Sequence, residues 1–162
     1  MRHALTVTTP TDREIVITRE FDAPRELVWE TMSRPELLKR WLHGPPGWEM
    51  TACEDDARVG GTFRWSWSGP EGAVMSMTGE YREVVPPERC VRTEIFEMGC
   101  VPGGGGQLAT LGLAERGGKT HLTVTLEYAS KEHRDGAVAS GMERGMAAGY
   151  DRLDELLAVA AA

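Results

Sequence analysis

The sequence predicts an α+β domain, with a curved antiparallel sheet of about six to seven strands wrapped around one long C-terminal helix. Three observations predict it. Short segments of alternating apolar and polar residues fill the middle of the chain, separated by Gly- and Pro-rich turns. Two stretches with helical spacing follow the first strand, and a helix-forming run, Ser130 to Ala161, closes the chain.

The elements follow in order. Residues 1–13 are polar and Thr-rich and read as a flexible tail, with the domain proper spanning 14–162. Glu14 to Phe21 is rich in β-branched residues and predicts the first strand. Asp22-Ala23-Pro24 stops it, and Pro24 suits a helix start because its missing N–H costs nothing there. Arg25 to Ser33 and Glu36 to Leu42 are the two short helices, ended by Gly44-Pro45-Pro46-Gly47. A meander follows, with strands at Trp48 to Glu54, Gly61 to Ser68, Val74 to Val85 and Cys90 to Met98. Pro102 to Gly106 reads as a flexible loop. Gln107 to Glu115 and Lys119 to Tyr128 form a hairpin about Gly117-Gly118. Ser130 is placed to cap the last helix.

Composition limits the function. The chain has 162 residues, enough for one ordinary domain. Its net charge of −7, with no basic run, argues against nucleic acid and anionic membranes as partners. No apolar stretch has the length of a membrane span. Nothing near Met1 has the pattern of a secretory signal, so a cytoplasmic location is expected. Cys53, Cys90 and Cys100 are widely spaced and odd in number, which predicts reduced thiols rather than disulfides or zinc ligands.

Strand alternation sorts the faces. Phe63, Trp65 and Trp67 share one face, and Met75, Met77, Gly79 and Tyr81 share another. Val91, Thr93 and Ile95 are taken as a third inward set, and Leu122, Val124, Leu126 and Tyr128 as a fourth. Arg92 and Glu94 then fall on the solvent side as a surface pair. In the last helix Gly141, Gly145 and Gly149 recur every four residues. Each glycine costs about 1 kcal/mol inside a helix, so the stripe implies either a close approach of helix to sheet with no ligand or volume left for a guest beside Met142, Met146 and Tyr150. Met and Trp together suit a concave, adaptable site.

Reactive chemistry is sparse. His3, His43, His121 and His133 have no metal-ligand spacing, and no metal site or cofactor is expected. Glu54-Asp55-Asp56 reads as a solvated acidic turn. His43, between Trp41 and the Gly-Pro-Pro-Gly break, is the polar residue placed for acid–base work at a cavity mouth, with a plain surface histidine as the alternative.

Several ordered motifs resemble one family. These are Phe21-Asp22-Ala23-Pro24 followed by Val28-Trp29, Pro35-Glu36-Leu37-Leu38 with Trp41, and Gly60-Gly61-Thr62-Phe63-Arg64. Gly79-Glu80-Tyr81 with Pro86-Pro87-Glu88-Arg89, and Gly141-Met142 through Leu153-Asp154 to Leu156-Leu157, complete the set. From about Glu14 to Leu157 the chain resembles the bacterial family homologous to the activator of heat-shock-chaperone ATPase. That family lies within the START and birch-pollen-allergen-like (SRPBCC) helix-grip superfamily. The resemblance implies a sheet gripping the last helix around an apolar cavity. Two positions depart from the family pattern: the chain reads Trp41-Leu42-His43-Gly44-Pro45 where Trp-Trp-Gly-Pro is usual, and Arg34 stands where an Asp normally precedes the Pro-Glu as a helix cap.

The reading is a binding protein for a small apolar or aromatic molecule, with a carrier, sequestering or stress-response role. Its expected lining is Trp41, His43, Trp48, Phe63, Trp65, Trp67, Met75, Met77, Tyr81, Ile95, Met142, Met146 and Tyr150. A cyclase- or dehydratase-type enzyme in the same cavity is one alternative. A module that partners a heat-shock chaperone, as the resemblance implies, is another. The chain is expected to be a monomer or homodimer.

Overall fold

A computed structural model describes residues 3–44, 46–98 and 106–161. Pro45, Cys100 and residues 102–105 of the expected loop lie outside the described residues. The strands are β1 (Thr6–Thr8), β2 (Glu14–Phe21), β3 (Glu49–Asp55), β4 (Thr62–Ser68), β5 (Val74–Val85), β6 (Arg89–Met98), β7 (Gln107–Arg116) and β8 (Lys119–Tyr128). They form one eight-stranded sheet in the order β1-β2-β8-β7-β6-β5-β4-β3, antiparallel throughout. The helices are α1 (Arg25–Ser33), α2 (Pro35–Trp41), α3 (Lys131–Ala139) and α4 (Met142–Ala161). No described helix is long and apolar enough to cross a membrane.

Local signals set these boundaries. Pro24 is the N-cap of α1, and Pro35 opens α2. Arg34 offers no capping oxygen, as its departure from the family pattern suggested, and instead pairs with Glu30 and Glu36. The Ser130 side chain accepts from the His133 N–H at 3.2 Å and caps α3. Gly117 and Gly118, at φ 59° and 78°, supply the two left-handed positions of the β7–β8 turn.

Two expectations are corrected. The N-terminal tail is not wholly irregular, because Thr6–Thr8 pairs with β2 through Thr6↔Thr18 and Thr8↔Val16. A Thr-rich segment has strand propensity that a free sheet edge can recruit. The C-terminal helix is two helices rather than one. α3 ends at Ala139 with Ser140 as its C-cap, and Gly141 then takes φ +82°, a left-handed position that an L side chain resists.

The core lies between the inner face of the sheet and the helices. Ile15, Ile17, Phe21, Val28, Leu38, Leu122, Leu153 and Leu157 are the fully buried apolar residues that join them. One cation is built into this interface. Arg19, with 1% of its side chain exposed, reaches from β2 to Asp151 at 2.9 Å and Asp154 at 2.5 Å on α4. That pairing fixes the helix over the sheet, since neither charge is stable there alone.

Candidate functional site

Register decides which side chains point at the helices. In β4 and β5, Trp67 lies opposite Met75, Trp65 opposite Met77, and Phe63 opposite Gly79. Residues directly opposite share a face. Gly79 has no space for a side chain, because a Cβ there would lie 1.8 Å from the Thr93 carbonyl oxygen and 2.6 Å from the Phe63 ring. One step on, Tyr81 pairs with Arg92, so Arg92 faces inward too. Cys90 and Glu94 follow it and are buried.

The expected inward set of Val91, Thr93 and Ile95 is therefore on the wrong face. Ile95 pairs with Thr78 on the outer side and is 43% exposed, so it lines no interior site. Apolar alternation chose the wrong phase because β6 carries Val91 and Ile95 outward and Arg92 and Glu94 inward. The same logic overturns Asp55 as part of a solvated turn. It lies opposite Phe63, and its carboxylate points inward.

These inward polar groups form a connected cluster. Arg92 Nε donates to Glu94 Oε2 at 2.9 Å, and Gln107 Nε2 donates to Glu94 Oε1 at 2.7 Å. The Arg92 guanidinium carbon lies 4.8 Å from the Trp65 ring centre, 5.0 Å from Phe63 and 5.9 Å from Tyr81. Aromatic faces and one carboxylate thus replace the water this cation would otherwise hold. Tyr81 donates to Asp55 Oδ1 at 2.6 Å, and Trp65 Nε1 donates to Asp55 Oδ2 at 3.2 Å.

Ionisation follows from burial. Burial opposes the Arg92 charge most strongly of any single cause, but Glu94, Tyr81 and Cys90 together outweigh it and hold the guanidinium protonated above its ordinary range. Burial pushes the Asp55 carboxyl up, against the pull of Tyr81 and Arg92. Burial also raises the Tyr81, Tyr128 and Tyr150 hydroxyls well above the usual phenol range. At neutral pH all three are neutral donors. Tyr128 pairs with Gln107 across β7–β8, and its hydroxyl is buried with no hydrogen-bond partner among the described residues.

A small cleft of about 30 Å³ opens beside the cluster. Trp29, Met32 and Ser33 of α1 form one wall, and Tyr81, Cys90, Arg92, Leu111 and Leu113 form the other. It has room for about one water, far below the ~300 Å³ of a small-molecule pocket.

A curved antiparallel sheet closed by a C-terminal helix, with paired helices inserted after its second strand, can be set beside known proteins. The family described as activator of Hsp90 ATPase homolog 1-like protein matches residues 22–158. The chain belongs to this family. Its members have the SRPBCC helix-grip fold. A Rhodobacter sphaeroides protein of known structure is 34% identical, with 96% of this chain and 98% of that one covered and a TM-score of 0.89. A Mycobacterium smegmatis protein is 26% identical over 95% of this chain and 97% of that one, with a TM-score of 0.83. A Nitrosomonas europaea protein is 27% identical over 92% and 96%, with a TM-score of 0.79. No curated protein matches.

In this helix-grip chain the other expected lining residues fall into distinct groups. Trp41 is buried and donates to the Thr31 carbonyl at 3.0 Å, with Tyr150 6.0 Å away between ring centres. Phe21 meets Tyr150 edge-on at 5.8 Å. Trp67 donates to the Leu42 carbonyl at 2.7 Å, near Met75 and Gly44. Trp48 covers Gly69 at the sheet's end and is half-buried against the edge of the core. His43 is half-buried in the connection after α2, which Arg152 clamps through the Trp41 and Gly44 carbonyls at 3.2 and 2.6 Å. Met142 and Met146 are half-buried against the core.

The glycine stripe does not border a void. Gly141 and Gly145 are exposed, with open space where a Cβ would stand, and only Gly149 is buried, in ordinary contact with Trp41. Asp55, Arg92, Glu94 and Gln107 were missed because they come from β3, β6 and β7 and only register brings them together. Tyr81 and Tyr128 were legible, each at the end of an inward row of its own strand.

Proposed function

We propose that this family member binds a small aromatic molecule carrying a hydrogen-bonding head, between the sheet and the helices. The observation that carries the reading is the buried Arg92–Glu94–Gln107 group beside the unpartnered Tyr128 hydroxyl. A simple packed core has no use for such groups, because each costs stability unless it is satisfied. The guest's polar end meets Tyr128 and Arg92. Its aromatic body lies against Phe63, Trp65, Trp67, Met75 and Met77, with Trp41, Met142, Met146 and Tyr150 on the helical side and His43 at the rim.

The cleft has to widen to admit such a guest. α1 is the element placed to move, since Trp29 and Met32 are only half-buried where they cover it. Neutral tyrosine hydroxyls favour recognition over acid–base chemistry, so a carrier or sequestering role fits better than catalysis.

Tryptophan fluorescence tests this directly. Titration with a panel of simple phenols, flavonoids and aromatic acids gives saturable quenching for a subset. The Arg92→Met/Glu94→Met double variant loses at least tenfold in affinity for headed compounds while keeping affinity for purely apolar ones. A flat response across the panel removes the proposal.

A further inference from the structure

A second polar group lies on the opposite face of the sheet, away from the interior cluster. Glu20 and His121 are directly opposite in the β2–β8 pairing, and Glu20 points outward because its neighbours Arg19 and Phe21 point inward. β1 runs back along β2 and carries His3 to the same place, where Asp22 follows the end of β2.

Their ligand atoms converge. His3 Nε2 lies 3.0 Å from Asp22 Oδ1 and 3.5 Å from Glu20 Oε1, and one donor atom from each of the three residues falls within 4.8 Å of the others. His121 Nε2 is 3.3 Å from the second oxygen, Glu20 Oε2. Bonds of about 2.0–2.1 Å to a tetrahedral zinc ion put its ligand atoms roughly 3.3–3.4 Å apart. The observed spacings bracket that value. Sequence spacing could not reveal the group, because its members come from three separated segments.

We propose that His3, Glu20 and Asp22 form a binding site for a divalent transition-metal ion, zinc being the best match. One imidazole and two carboxylates suit a borderline cation and neutralise its charge. His121 acts behind them, holding the free oxygen of Glu20 as an outer-shell partner. His3, Glu20 and His121 also line an open groove of about 360 Å³ together with Thr6, Thr18 and Thr123, so the group is open to solvent. A metal here ties the N-terminal segment to β2.

Lys119 defines the competing reading. Its Nζ lies 3.5 Å from Glu20 Oε1 and 3.6 Å from Asp22 Oδ1 as a counter-ion. It is half-exposed, so it can swing away when a metal arrives.

The test is calorimetric titration of the tag-free full chain with zinc, joined by cobalt substitution read in visible absorption. The wild-type chain is expected to bind one equivalent, with the cobalt spectrum of a low-coordinate site. Glu20→Gln and His3→Ala each weaken zinc at least tenfold, and His121→Ala weakens it less. Lys119→Ala tightens it, because the competing cation is gone. Absence of stoichiometric binding overturns the proposal, as does zinc affinity that Glu20→Gln leaves unchanged. Circular dichroism of each variant separates lost binding from lost folding.

Discussion

Arg92 and Glu94 stand two residues apart on β6, joined at 2.9 Å, and both face the interior, with 16% and 7% of their side chains exposed. Removing Arg92 leaves the buried Glu94 carboxylate with Gln107 but without its cation. Arg92→Ala is therefore expected to destabilise the fold by about 3–5 kcal/mol, whereas the apolar double replacement Arg92→Met/Glu94→Met restores most of that. Urea unfolding of the single and double variants measures both. A loss under about 1 kcal/mol for Arg92→Ala shows that water reaches the guanidinium freely.

Tyr128 offers a test with the opposite sign. Its buried hydroxyl has no partner among the described residues, so it lost its water without gaining a bond. Tyr128→Phe is expected to leave stability unchanged or raise it by about 1 kcal/mol. The same change weakens any guest whose polar end the hydroxyl meets. Thermal unfolding with and without a bound compound separates the two effects.

Arg19 is the link between sheet and α4. Its guanidinium is held by Asp151 and Asp154 and lies 5.4 Å from the Phe21 ring centre. Arg19→Met leaves Asp154 facing the interior without its cation and is expected to cost about 3 kcal/mol or more. Because the pair is screened from solvent, the loss persists in high salt, unlike that of an exposed pair. Denaturation in low and high sodium chloride checks this.

Cys53 pairs with Trp65 across β3–β4 and is half-buried. Burial, and after it the Asp55 charge, push its thiol up to about 11 from 9.0. The folded chain keeps this proton over a range in which the unfolded chain releases it. Its contribution to stability is thus present below pH 9.0 and is lost as pH rises through about 11. Iodoacetamide labelling at Cys53, read peptide by peptide, is expected to stay slow at pH 8 and to accelerate only above pH ~10.

The chain's punctuation was the legible part of the fold. Pro24, Pro35, Gly117-Gly118 and Ser130 act through their own backbone or side-chain chemistry, so each marks its boundary without help from distant residues. Aliphatic rows such as Leu122, Val124 and Leu126 were legible for the same reason, since their burial follows from their own polarity. Arg92, Glu94 and Asp55 were not. Arg92 and Glu94 pair with each other along β6, but what lets them face inward comes from neighbouring strands, Gln107 on β7 and the rings of Phe63 and Trp65 on β4, and those neighbours are fixed by register. The shift between Tyr81 and Glu83 also breaks the β5–β6 pairing in a way that alternation cannot follow.

Gly141 and Gly145 lie four residues apart and look alike in sequence, yet they are expected to respond in opposite directions. Gly141 holds φ +82° where α3 gives way to α4. Alanine there meets open space but must adopt a left-handed backbone, at a cost of about 1 kcal/mol. Gly145 has ordinary helical geometry inside α4, is exposed, and has nothing within reach of an added Cβ. Alanine there stabilises by up to about 1 kcal/mol, through helix propensity and a less flexible unfolded chain. Guest binding is unchanged by Gly145→Ala, because an added methyl there stands in open space and touches none of the lining residues. Chemical denaturation of the two single variants decides the matter. A destabilising Gly145→Ala, or one that abolishes binding, means that this face of α4 closes on a guest and the site extends further along the helix than the interior cluster.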